Sequence, residues 1–290
     1  MKIPESDLII NPDGTIYHLN LLPEDIAETI ITVGDPERVD DVSKYFDAIE
    51  LKKTKREFVI HTGYLGKKRI TVLSTGMGTD NIDVVFNELD ALVNVDFKTR
   101  EVKSELTSLN LIRIGTSGAV QPDIDIDSFL VSEIAIGLDG LMGFYNSQTT
   151  TSEQKYLKAI YPLVSPLGVF PSFTHASEKL LNELAHDIRK GVTLTNAGFY
   201  GPQGRQIRLE PKKKHYIDEL VDLVLPDNRR ITNLEMETSG IYGLSTLLGH
   251  HAISFNAILA NRAKQEFTKD AHKTVDNLIK LVLERIDNIQ

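Results

Sequence analysis

Arg113 stands inside an apolar run, Leu111-Ile112-Arg113-Ile114, and the chain continues Gly115-Thr116-Ser117-Gly118-Ala119-Val120. A guanidinium cannot shed its charge by losing a proton, so a buried one needs an anionic or strongly accepting partner. Either a bound anion or a structural carboxylate answers that need. Arg38 follows Gly34-Asp35-Pro36-Glu37, where a strand-like run (29–33) passes through a glycine turn into a helix with Pro36 near its first position. The amides of a helix start and a guanidinium one turn inside could together hold one anion, and an ordinary connection with a surface arginine is the other reading. Glu235-Met236-Glu237 ends a strand-like run, 231–234. Carboxylates there could accept hydrogen bonds from vicinal sugar hydroxyls, since ligands of open α/β sheets bind at strand C-termini, or could cap the next helix. The loop Phe199-Tyr200-Gly201-Pro202-Gln203-Gly204-Arg205 could give a flat ring both a face and a hydrogen-bonding edge.

The elements that must position these groups alternate along the chain. Thr15 to Leu22 form an arm containing His18. Residues 57–61 and 69–73 alternate as an antiparallel pair that begins after Arg56 and is joined through Gly63 and Gly66-Lys67-Lys68. Ser74-Thr75-Gly76-Met77-Gly78 opens a helix to about Asn94, with Ile82, Val85, Phe86 and Leu89 at helical spacing. The strand at 111–114 ends in a Gly-Thr-Ser-Gly turn. Another strand falls at 128–136, helices at 152–161 and 177–190 flank a loop with Pro162, Pro166 and Pro171, and short strands follow at 192–195 and 231–234. A small-residue helix spans 239–248, a last strand 252–260, and an amphipathic helix 270–289 with a stripe of Val275, Leu278, Ile279 and Val282. Strands and helices mix throughout without repeat or linker, so we expect a single α/β domain, 1–290, with some antiparallel pairing.

The 290 residues, 41% hydrophobic and 25% charged, fit a soluble globular chain with ample core. No apolar run approaches the roughly 18 residues of a membrane span, and the first seven residues lack a signal peptide's apolar segment. We therefore expect a cytoplasmic protein without a membrane partner. The absence of cysteine excludes disulfides, thiolate metal sites and cysteine nucleophiles, and the net charge of −9 argues against a nucleic-acid surface.

Taken together, Gly34-Asp35-Pro36-x-Arg38, Ser74-Thr75-Gly76-Met77-Gly78, Arg113-Ile114-Gly115-Thr116-Ser117-Gly118-Ala119 and Glu235-Met236-Glu237 resemble the signatures of the nucleoside phosphorylase family, in order and spacing over nearly the whole chain. Phe199-Tyr200-x-x-Gln203-x-Arg205 is similar to the base-recognition loop of its uridine-specific members. The resemblance implies an α/β sandwich around a mixed, partly barrel-like central sheet flanked by helices. It implies a pentosyltransferase that exchanges inorganic phosphate for the base of a nucleoside, uridine by preference.

Carried over by position, the resemblance places phosphate against Gly34, Arg38, Arg113, Gly115 and Thr116, with Arg56 reaching in from a neighbouring subunit. Ribose would meet Glu235, Met236 and Glu237, with the neighbour's His18 near the 5′-hydroxyl. The base would lie on Phe199 and bond to Gln203 and Arg205, with Arg262 on a closing loop. Arg113, Gln203, Arg205 and Glu237 are the expected catalytic set. The implied assembly is a homo-oligomer, dimer or hexamer of dimers. Inorganic phosphate serves as co-substrate and no other cofactor is expected. Some bacterial members hold a monovalent cation near the counterparts of Glu57 and the 76–78 turn, and here Asn81 stands where they have a Ser ligand. Purine-specific members use an Asp just after the last sheet strand; this sequence reads Leu259-Ala260-Asn261-Arg262. A purine or broad-specificity phosphorylase, a water-using nucleosidase and a non-catalytic nucleoside sensor are the alternatives.

Overall fold

The computed structural model describes residues 2–288; Met1, Ile289 and Gln290, and with Ile289 the end of the expected last helix, lie outside them. In chain order the elements are β1 (Thr29–Val33), α1 (Glu37–Ser43), β2 (Ala48–Lys55), β3 (Phe58–Leu65), β4 (Lys68–Ser74), α2 (Thr79–Asn94), β5 (Val95–Asp96), β6 (Glu101–Val102), β7 (Asn110–Ala119), β8 (Phe129–Gly137), α3 (Thr151–Val164), β9 (Ser172–His175), α4 (Glu178–Leu184), β10 (Arg189–Thr195), α5 (Tyr216–Asp222), β11 (Val224–Leu225), β12 (Arg229–Glu235), α6 (Thr238–Leu248), β13 (His251–Asn261), β14 (Glu266–Phe267) and α7 (Ala271–Asn288). No helix among the described residues is long and apolar enough to cross a membrane.

The strand containing Arg113 is the hub. β7 lies between β1 and β13, parallel to both, with Arg113 opposite Thr32 on one side and Ser254 on the other. Beyond β1 the sheet continues through β4, β3 and β2. On the other side it runs β13, β8, β10, β12, and β12 returns to β7 through Asn233 opposite Ala119 and Leu234 opposite Gly118. These five strands therefore close on themselves, forming a small mixed barrel attached to an open sheet.

Helices cover the faces because their apolar residues recur with helical period. α2 buries Ile82, Val85, Phe86, Leu89 and Leu92, and α7 buries Val275, Leu278, Ile279 and Val282. α6 packs closely because of its glycines: a Cβ at Gly243 would fall 2.3 Å from Met142 Sδ.

Several sequence expectations are corrected. β7 does not stop at a Gly-Thr-Ser-Gly turn, because Gly115, Thr116 and Ser117 keep pairing with Asn256, Ala257 and Ile258 of β13. Gly63 lies within β3 rather than at a junction. The helix expected over 177–190 ends at Leu184, since Arg189 and Lys190 pair with β8. Pro162 sits inside α3, not in a loop, and the short edge strand β9 after Pro171 was unmarked, as was β2.

Candidate active site

A cleft of about 1230 Å³ opens at the C-terminal ends of β1, β7 and β12 and is lined by Gly34, Arg38, Arg113, Gly115, Thr116, Phe199, Gln203, Arg205, Glu235, Met236, Glu237 and Arg262. Parts of the chain more than 200 residues apart thus meet in one place. His18 and Arg56 are not in the lining. They share a separate patch around Tyr17, with the His18 ring edge-on at 4.7 Å and the Arg56 guanidinium carbon 5.8 Å from the Tyr17 ring centroid. Glu88 holds His18 Nδ1 at 2.6 Å.

At one end of the cleft Arg113 is buried. Its Nη2 donates to Glu237 Oε2 at 2.7 Å and lies 3.3 Å from Glu235 Oε2. Burial works against its charge, but the two carboxylates outweigh burial and hold its pKa above the ordinary arginine value. The protein itself therefore supplies counter-charge for Arg113. The guanidinium lies across Gly115, where a Cβ would fall 1.9 Å from Arg113 Nη1. Gly115→Ala is accordingly expected to push the guanidinium out of place and lower phosphate affinity at least tenfold, measured by calorimetric titration of inorganic phosphate; unchanged affinity would contradict this placement.

Arg38 contrasts with Arg113. It lies in the first turn of α1 rather than one turn inside, and its guanidinium has no hydrogen-bond or ion-pair partner among the described residues. Burial lowers its pKa, and the like charge of Arg113 adds to that effect. Nearby Asp35 acts against both effects, yet the Arg38 guanidinium keeps its hydrogen-bond donors unengaged beside an Arg113 that is already paired. The helix start contributes less than its sequence suggested, because Asp35 Oδ1 accepts the Glu37 N–H at 3.0 Å and the Asp35 carbonyl accepts the Arg38 N–H at 3.1 Å.

The two glutamates differ in how much they have left to offer. Glu235 Oε1 accepts from Thr195 Oγ1 at 2.6 Å, and Oε2 accepts the N–H groups of Glu237 and Thr238, both at 2.9 Å. It caps α6 and neutralises Arg113, and burial pushes its pKa above the usual carboxylate range. Glu237 Oε1 accepts the Gly78 N–H at 2.8 Å, so this carboxylate bridges the 76–78 turn and Arg113 with lone pairs remaining toward the cleft. Met236 lines the cleft between them.

At the far end, the Arg205 guanidinium stacks 3.8 Å from the centroid of the Phe199 ring. Its Nη1 donates to the Phe199 carbonyl at 2.8 Å and to Gln203 Oε1 at 2.6 Å, and Arg262 Nη1 donates to the Gln203 carbonyl at 3.0 Å. Among the described residues no carboxylate pairs with either arginine. Burial and the neighbouring Arg262 bring the Arg205 pKa down to about 10, so it stays charged at neutral pH. Gly204 has φ +67°, which explains a glycine between Gln203 and Arg205. Asn261 is fixed within the protein: its Nδ2 donates to the Gln121 and Ile124 carbonyls at 2.9 and 2.7 Å, and its Oδ1 accepts the Lys264 N–H at 2.9 Å.

Asn81 and Glu57 both pack against the 76–78 turn: a Cβ on Gly76 would fall 2.4 Å from Asn81 Nδ2 and 3.4 Å from Glu57 Cγ. Among the described residues no three His, Asp or Glu side chains group as metal ligands. Sequence reasoning missed Lys214, His215 and Asp218, which line the mouth at the start of α5; the basic run 212–215 was the available signal. It also missed Ser254 and Asn256, hidden in what reads as a plain strand.

This cleft on a half-closed mixed sheet, with guanidiniums at both ends and two carboxylates against one of them, marks a class in which an oxyanion and a sugar-bearing base are held together, and the chain belongs to the phosphorylase superfamily, whose profile matches residues 28–287. Among individual relatives it is 32% identical over 263 residues to the uridine phosphorylase of Thermococcus kodakarensis, covering 90% of this chain and 83% of that one. It is 28% identical over 279 residues to a DeoD-type purine nucleoside phosphorylase of Caldanaerobacter subterraneus, covering 92% and 98%. The crystal structure of a Trypanosoma brucei nucleoside phosphorylase, described as showing uridine phosphorylase activity, superposes with a TM-score of 0.88 at 28% identity, over 98% of this chain and 100% of that one.

Proposed function

We propose that this protein is a uridine phosphorylase, converting uridine and inorganic phosphate reversibly to uracil and ribose 1-phosphate. The observation that carries the reading is the pair of charge reservoirs at opposite ends of one cleft: Arg38 with Arg113, and Arg205 with Arg262 beside Gln203. Phosphate held by the first pair attacks the anomeric carbon as the N-glycosidic bond breaks. The electron pair of that bond leaves on uracil, whose oxygens gain negative charge next to Arg205 and the Gln203 amide. Glu237 and Met236 lie where positive charge develops on the ribose, and Glu237 accepts from its hydroxyls.

Gln203 Oε1, turned by Arg205, keeps one lone pair for uracil N3–H. Cytosine offers an acceptor there and an amine in place of O4, leaving buried groups unpaired. Gln203→Ala is therefore expected to narrow the preference for uridine over cytidine by about 10²-fold, measured as the ratio of kcat/KM values; an unchanged ratio would place base recognition elsewhere. A purine gains no proton donor from Asn261, whose amide is committed to Gln121 and Ile124.

His18 and Arg56, together on the Tyr17 patch, serve the site of a second copy in a dimer. The test of the whole reading is release of free base from uridine, thymidine, cytidine and inosine, with and without phosphate. Uracil release that needs phosphate supports it. Release without phosphate makes the protein a nucleosidase, and tight uridine binding without release makes it a sensor.

A further inference from the structure

The interior of the closed barrel is polar, which the function just proposed does not use. β13 places Ser254 opposite Arg113 and Asn256 opposite Gly115, so the guanidinium that lies across Gly115 comes against the side chain of Asn256. Arg113 Nη1 donates to Asn256 Oδ1 and to Ser254 Oγ, both at 3.3 Å. Arginine only donates, so the atom of Asn256 that faces it is the oxygen. The amide nitrogen then faces the other way, and it finds acceptors there: Ser132 Oγ at 2.9 Å and the Ser254 carbonyl at 3.4 Å. Ser132 Oγ is in turn 2.6 Å from Thr193 Oγ1, which donates to Asn233 Oδ1 at 2.9 Å. Asn256, Ser132, Thr193 and Asn233 are all fully buried.

Both ends of the Arg113 guanidinium are thereby held. Nη2 meets the carboxylates of Glu237 and Glu235, and Nη1 meets the neutral acceptors of Asn256 and Ser254. The carboxylates alone fix one edge of a planar group and leave it free to roll about that edge. The second contact removes that freedom.

We propose that Asn256, itself locked by Ser132, is a positioning residue that sets the roll of the Arg113 guanidinium and so the affinity of the cleft for phosphate. The inference rests on the reading above that Arg113 meets phosphate. Asn256 touches no substrate, and its effect is exerted through Arg113. A buried amide that served folding alone would alter phosphate and nucleoside binding equally.

The test compares wild type, Asn256→Leu and Ser132→Ala by calorimetric titration with inorganic phosphate and, separately, with uridine, beside thermal melting and phosphate-dependent uracil release. Asn256→Leu keeps the branched outline of Asn, with bulkier methyl groups in place of its oxygen and nitrogen, and removes the acceptor; Ser132→Ala frees the Asn256 amide without touching Arg113. Asn256→Leu is expected to raise the Kd for phosphate about tenfold, with the Kd for uridine within about twofold, and Ser132→Ala to shift phosphate in the same direction by about threefold. A folded Asn256→Leu with phosphate affinity unchanged, or with both ligands weakened equally, overturns the proposal. Where Asn256→Leu does not fold, Ser132→Ala decides: unchanged phosphate affinity overturns it. A wild-type protein that binds phosphate but releases no uracil ends the assigned activity while leaving the Asn256 comparison intact, and one that binds no phosphate ends both.

Discussion

Arg113→Ala is expected to lower phosphate-dependent uracil release by at least about 10³-fold and to destabilise the fold by about 3–5 kcal/mol. The two losses have one origin. The same guanidinium that faces the proposed phosphate position is the counter-charge of Glu235 and Glu237, so its removal leaves two buried carboxylates with nothing to balance them. The pH dependence identifies the cause. Burial already raises the Glu235 pKa in the folded protein, so its contribution to stability is present at low pH and is lost as pH rises through the folded value. Without Arg113 the folded pKa rises further. The melting temperature of the variant should therefore lie nearest to wild type at about pH 5 and fall behind it toward about pH 8. A variant with near-normal phosphorolysis, or a melting deficit that does not grow with pH, would contradict the assignment of Arg113.

The second large effect belongs to the other end of the cleft. Arg205 is held by stacking on Phe199 and by two acceptors, with no carboxylate among the described residues to weaken its field. Charge placed before the reaction and aimed at the departing base acts mainly in the transition state. Arg205→Ala should reduce kcat/KM for uridine by about 10²- to 10³-fold, chiefly through kcat. A more stable leaving group needs less help, so 5-fluorouridine should lose less than uridine. Equal losses for the two nucleosides would mean that Arg205 only binds the base.

Much of the site is legible in the sequence because each of its pieces has a local cause. An arginine inside an apolar run must find a partner, and Arg113 does; the alternation of apolar residues in 252–260 marks β13, and the spacing of Ile82, Val85, Phe86 and Leu89 marks α2. What stays hidden depends on long-range register. Nothing near Gly115 announces that its missing side chain makes room for a guanidinium from two residues earlier, and nothing near Asn256 announces that it lies opposite that space. The same holds for the closure of β12 on β7, which joins residues 233 and 119. Whether Glu235 would face a sugar or cap a helix was undecidable from Glu235-Met236-Glu237, because both uses call for a carboxylate at the same place. The backbone amides of Glu237 and Thr238 decide it for Glu235. His18 and Arg56, proposed above to serve a second copy, belong to a different limit, since a residue that acted across a subunit contact would have no intrachain geometry to reveal it.

A barrel without free edges has a dynamic corollary. The amide protons of Leu111, Ile112 and Arg113 lie on the stretch of β7 paired with β1 on one side and β13 on the other, so no small opening exposes them. Their exchange with deuterium should follow global unfolding alone. The 199–205 loop, carried on one short 3₁₀ turn with Phe199 half exposed, should exchange rapidly in the free protein and slow when uridine binds. Recognition of the base would then be felt as a local quieting of the chain, while the floor on which the phosphate rests stays silent before and after.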